Sequence, residues 1–83
     1  MIFVVDVGNT NITYGVYDGE ELVTTFRMMS KVQRTSDEYG IQIIELLEAN
    51  GVDKAAIEGS IIASVVPNVM HSLISGISKY LGV

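Results

Sequence analysis

The sequence predicts an α/β fold: a three-stranded antiparallel meander, then a helix, a strand parallel to the first, and a second helix. Three observations carry this. Apolar or alternating runs are joined by turn-forming residues at 8–11 and at Asp18-Gly19. A capping signal at Thr35–Glu38 opens a stretch of helical periodicity. A second apolar run, Ser60–Val66, follows that helix, and a strand–helix–strand succession in one sheet calls for a right-handed crossover. The fourth strand then lies parallel to a neighbour, most simply the first.

In order, Met1–Val5 is uninterrupted apolar sequence rich in β-branched residues, as in a strand buried on both faces. In the second strand Ile12, Tyr14 and Val16 alternate with Thr13, Gly15 and Tyr17, which places Tyr14 in the core and Tyr17 at the surface. From about Glu20 to Met29, Leu22, Thr24, Phe26 and Met28 alternate with Val23, Thr25 and Arg27. Ser30–Arg34 is polar and reads as a loop whose two bases, Lys31 and Arg34, are solvated, with a role in holding substrate phosphate as the lesser alternative. Thr35 and Glu38 have capping-box spacing, and Asp37 and Glu38 suit the positive end of a helix dipole, so these acids need no chemical role. The helix runs to about Ala49, with Ile43, Ile44 and Leu47 as its apolar stripe and Gly40 as a close-packing notch; Asn50-Gly51 stops it. Val52–Glu58 is a connector with room for a short helical turn at Asp53–Ala56. Pro67 suits the first turn of the second helix, whose stripe is Leu73, Ile74, Ile77 and Leu81.

Composition narrows the function. At 83 residues the chain is one small domain or part of one. A net charge of −5 with only five Lys and Arg leaves no basic patch, so nucleic acid is not an expected partner. Cysteine is absent, which excludes disulfides, zinc–thiolate sites and thiol nucleophiles. The N-terminal apolar run stops at Asp6 and has no basic flank, so neither a signal peptide nor a membrane span is expected, and a cytoplasmic location fits. His71 has no second His or Cys near it and reads as a helix-surface or helix-cap residue.

The candidate site is Asp6-Val7-Gly8-Asn9-Thr10-Asn11, at the end of the first strand. A lone carboxylate there must face a cation, hydrogen-bond donors or water. Gly8 and Asn9 are turn residues that tolerate positive φ. Exposed backbone N–H groups in such a turn form an anion-binding concavity. Thr10 can donate a hydroxyl to a phosphate oxygen, and Asp6 can hold Mg²⁺, directly or through water. An ordinary hairpin, in which Gly8 and Asn9 serve only the turn, accounts for the same residue types equally well.

The segment Asp6–Asn11 resembles the first phosphate motif of type III pantothenate kinases, members of the actin-like ATPase superfamily. Ala63-Ser64-Val65-Val66-Pro67 and Arg34-Thr35-Ser36-Asp37-Glu38 resemble two further blocks of that family, in the same order, although Ser is frequent where Ala63 stands. The resemblance implies a ribonuclease-H-like, actin-like ATPase subdomain, here incomplete, with residues 1–83 as the N-terminal part of the first domain. It implies ATP-dependent phosphorylation of pantothenate at the start of coenzyme A synthesis, with Asp6, Val7, Gly8, Asn9, Thr10, Asn11, Ile12 and Thr13 around the phosphates and Mg²⁺ at Asp6. A monovalent cation (K⁺ or NH₄⁺), a catalytic Asp in a Gly-Ala-Asp-Arg or Gly-Asp-Asp-Arg segment, and a homodimer are implied as well. None of the motifs for these lies in this chain, which is therefore expected to be inactive alone. A non-catalytic nucleotide-binding or transcriptional accessory role within the same family is the alternative. The apolar edge of the fourth strand offers a second expectation, self-association of the chain.

Overall fold

The computed structural model describes residues 1–64 and 67–83. Its elements are β1 (Ile2–Val7), β2 (Asn11–Asp18), β3 (Glu21–Met29), α1 (Ser36–Ala49), a 3₁₀ turn (Lys54–Ala56), β4 (Gly59–Ser64) and α2 (Pro67–Leu81). The four strands form one sheet in the order β3-β2-β1-β4. β1 pairs antiparallel with β2 and parallel with β4, as the crossover argument requires. Asp18-Gly19 and Asn50-Gly51 act as anticipated: Gly19 (φ +62°) and Gly51 (φ +76°) take the left-handed conformation that glycine adopts without strain. Val65 and Val66, assigned from the sequence to the fourth strand, lie outside the described residues.

Both helices pack on one face of the sheet. Phe3, Val5 and Val7 from β1 and Ile12, Tyr14 and Val16 from β2 meet Tyr39, Ile43 and Leu47 of α1 and Leu73 and Ile77 of α2. Phe3 stacks on Tyr14 at 5.4 Å between ring centroids, and Phe26 leans on Tyr14 at 5.2 Å. Such aromatic pairs add about 0.5–1.5 kcal/mol to the burial itself. The Tyr14 hydroxyl donates to Met28 Sδ at 3.4 Å, and burial pushes its pKa well above the ordinary value.

Three expectations need correction. β1 is buried on one face only: Ile2 and Val4 are half-buried and Asp6 is exposed, because no described helix covers their side of the sheet. Leu22 does not share the face of Phe26. A β-bulge between Val16/Tyr17 and their partners sets Val16 opposite Thr24 but Tyr17 opposite Leu22, so one residue of β3 is skipped and Leu22 points out. In α2, Ile74 is exposed and leaves the stripe to Leu73 and Ile77.

Glycine sets how closely the helices approach. A Cβ on Gly76 would run into the Ser36 carbonyl, and one on Gly40 would fall inside the Tyr80 ring, 2.6 Å from Cγ. This contact is braced outside by Asp37, whose carboxylate accepts from Lys79 Nζ and Tyr80 Oη, each at 2.7 Å. At the other end of the sheet, the Met1 ammonium donates to Ala56 O at 2.8 Å and the Glu58 amide donates to Met1 O at 3.0 Å, tying the approach to β4 onto the start of β1.

Candidate functional site

β1 and β2 are joined through residues 8–10, at the end of the sheet where β1 and β4 also finish. The Gly8 amide donates to Asn11 O at 2.9 Å and closes the turn. Neither Gly8 nor Asn9 has a positive φ. Space favours glycine at position 8 instead, since a Cβ there would stand a tight 3.1 Å from the Asn11 carbonyl.

A residue that sequence reasoning left in a solvated loop holds this turn. Ser30, immediately after β3, is only 6% exposed. Its amide donates to Thr10 O at 2.9 Å and its hydroxyl to Gly8 O at 2.7 Å. Both carbonyls therefore point at Ser30. The amide groups of Asn9 and Thr10 are left without a partner among the described residues, so they remain able to donate to an anion. No local sequence signal marks Ser30, because its partners lie about 20 residues away and are backbone atoms.

The proposed phosphate residues divide by face. Asp6, Asn9, Thr10 and Thr13 are exposed and Asn11 is half-buried, whereas Val7 and Ile12 are fully buried. Val7 and Ile12 can thus contribute backbone only. Asp6 is in register with Thr13 on one side and Ala63 on the other, and Thr13 is in register with Arg27. Asp6 has no side-chain partner among the described residues. A single solvated carboxylate beside unpartnered amides fits Mg²⁺, which prefers one or two carboxylates and completes its shell with phosphates and water. Among the described residues no cluster of three His, Cys, Asp or Glu forms an all-protein metal cage.

The loop that carries Ser30 also walls a cavity of about 440 Å³, reached from Asn9 and lined by Lys31, Arg34, Tyr39 and Ser72 among others. Arg34 Nη1 donates to Met29 O at 2.7 Å, and its guanidinium carbon lies 5.6 Å from the centre of the Tyr39 ring. The capping box behind it is complete. Thr35 Oγ1 accepts from the Glu38 amide at 3.1 Å, and the Glu38 carboxylate accepts from the Thr35 amide at 2.9 Å, which holds its pKa below the usual value. Both acids of this first turn have structural partners. His71 is exposed on α2.

A mixed sheet of order β3-β2-β1-β4, with its helices after the third and fourth strands and a glycine turn between the first two, defines an α/β unit of the actin-like ATPase class. The chain belongs to the type III pantothenate kinase family, whose model matches residues 2–83. It is 53% identical over its whole length to a type III pantothenate kinase of Agathobacter rectalis and 46% identical to one of Bifidobacterium animalis subsp. lactis. It covers 32% and 33% of those two proteins, about a third of their length. Among the described residues no helix is long and apolar enough to cross a membrane.

Proposed function

We propose that the protein transfers the γ-phosphoryl group of ATP to the primary hydroxyl of pantothenate, and that residues 1–83 form the N-terminal part of its first ATPase domain and supply the first phosphate-binding motif. The observation that carries this reading is the turn itself: in a chain of this family, the amides of Asn9 and Thr10, without a partner among the described residues, lie in the turn that follows the solvated carboxylate of Asp6. Phosphoryl transfer rests on positioning and charge neutralisation more than on covalent chemistry. The Asn9 and Thr10 amides would orient phosphate oxygens, the Thr10 and Asn9 side chains would add hydrogen bonds, and Asp6 would hold Mg²⁺, which neutralises phosphate charge when bound. The general base, the monovalent-cation site and the contacts of a homodimer belong, on this reading, to the remaining two-thirds of a cytoplasmic enzyme.

The test is Asp6→Asn in the full-length protein, assayed for ATP-dependent phosphorylation of pantothenate. Asp6 has no side-chain partner among the described residues, so the unfolding midpoint is expected to stay in place. Turnover falls by roughly a hundredfold, the scale of one preorganised electrostatic contact. Unchanged turnover with reduced stability would make Asp6 a structural acid and sink the assignment.

A further inference from the structure

The chain holds five bases and ten acids. The bases are not spread evenly. Lys79 is committed to Asp37, Lys54 reaches Tyr80 O at 3.4 Å, and Arg27 sits on the face of the sheet away from the helices. The remaining two, Lys31 and Arg34, line the same cavity, and Asn9 and Ser30 join that cavity to the phosphate turn. Arg34 is fixed before any ligand arrives, by Met29 O on one side and the Tyr39 ring on the other. Lys31 is exposed and has no partner among the described residues. Glu38, which feels the charge of Arg34, accepts from the Thr35 amide. Two cations with no ion pair among the described residues, one of them held by a carbonyl and a ring, thus line a concavity in a protein that is otherwise acidic.

We infer that this cavity is a subsite for an oxyanion group, phosphoryl or carboxylate, of one of the two substrates, with Lys31 and Arg34 as its cations and Asn9 as its link to the turn. A held guanidinium suits the planar, forked acceptor that either group presents, and a flexible ammonium suits a point contact beside it. The cavity is large enough for such a group and the atoms next to it, and Ser72 and Gln33 add polar lining. The identity of the substrate rests on the kinase reading; the anion preference of the cavity does not.

The experiment uses the full-length protein, wild type and Lys31→Glu. Calorimetric titrations are run separately with ADP, pantothenate and inorganic pyrophosphate, and thermal unfolding is followed alongside. Reversing an unpartnered surface charge leaves the unfolding midpoint in place. The affinity for pyrophosphate and for one substrate falls about tenfold, or 1.4 kcal/mol, while the other substrate stays within about twofold. Loss with ADP assigns the cavity to the nucleotide; loss with pantothenate assigns it to the acceptor's carboxylate. Arg34→Lys, which keeps charge but loses the fork, weakens the same ligand. A protein that binds neither substrate yet loses pyrophosphate on Lys31→Glu keeps the subsite and discards the kinase reading. Normal phosphorylation of pantothenate, with all affinities unchanged in Lys31→Glu, discards the subsite and keeps the kinase. Equal weakening of every anion would reveal only a long-range field and would also overturn the proposal.

Discussion

Replacing Ser30 by Ala removes one oxygen atom and tests whether the turn is held from outside. The hydroxyl donates to Gly8 O at 2.7 Å in a part-buried contact, so its loss leaves that carbonyl short of a donor. An unsatisfied group of this kind costs about 1–3 kcal/mol. The Ser30 amide keeps its bond to Thr10 O, so the turn loosens on the Gly8 side only. The free energy of local opening is read by amide hydrogen exchange at Gly8, whose N–H closes the turn on Asn11 O. Exchange there should accelerate by roughly 5- to 150-fold, since each 1.4 kcal/mol is a factor of ten. Nucleotide affinity should fall in the same variant, because the Asn9 amide, in the same peptide unit as the Gly8 carbonyl, loses its fixed direction. Ser30→Thr, which retains the hydroxyl, should recover most of both effects. If exchange rises while affinity is unchanged, the brace is real but irrelevant to binding. If neither changes, the account of the turn is wrong.

Two further predictions concern the helix pair. Gly76→Ala should lower the unfolding temperature although alanine favours helices by about 1 kcal/mol: the new Cβ meets the Ser36 carbonyl and stands 3.1 Å from Gly40 N, backbone atoms that cannot swing aside, and overpacking typically costs about 1–3 kcal/mol. A rise in melting temperature would show that the helices can part freely. Asp37 is held below its ordinary pKa by hydrogen bonds from Lys79 and Tyr80, so the stability it contributes is complete above the unfolded-state value of about 4 and is lost as pH falls through the lowered folded value. Asp37→Asn should flatten the stability profile in that acid range, and an unaltered profile would remove Asp37 from the brace.

Much of this fold is legible because it is written locally. Turns at Asp18-Gly19 and Asn50-Gly51, the Thr35–Glu38 capping box and the alternation of Ile12, Tyr14 and Val16 each depend on residues within a few positions of one another, and each appears where its pattern places it. The departures share a different cause. The exposed flank of β1 depends on which side of the sheet the helices choose, which an apolar run cannot state. The bulge that turns Leu22 outward depends on pairing with β2, not on the alternation within β3. Gly76, a poor helix former in isolation, is a contact between two helices, which its own helix's pattern does not show.

The site follows the same division, and its chemistry depends on the part that is not local. Asp6–Asn11 can be read as a turn with an acid beside it, but those residues alone do not decide between an anion cradle and an ordinary hairpin. On the proposed reading the direction of the amides matters, and Ser30 bears on it by holding the Gly8 carbonyl, whose peptide unit carries the Asn9 N–H, and the Thr10 carbonyl. The same loop then carries Lys31 and Arg34 to the cavity next to Asn9. One segment of a few residues after β3, featureless as sequence, therefore both shapes the turn and charges the space beside it. On the proposed reading, anion binding at this end of the sheet depends on two loops in contact, and a substitution in either should be felt in the other.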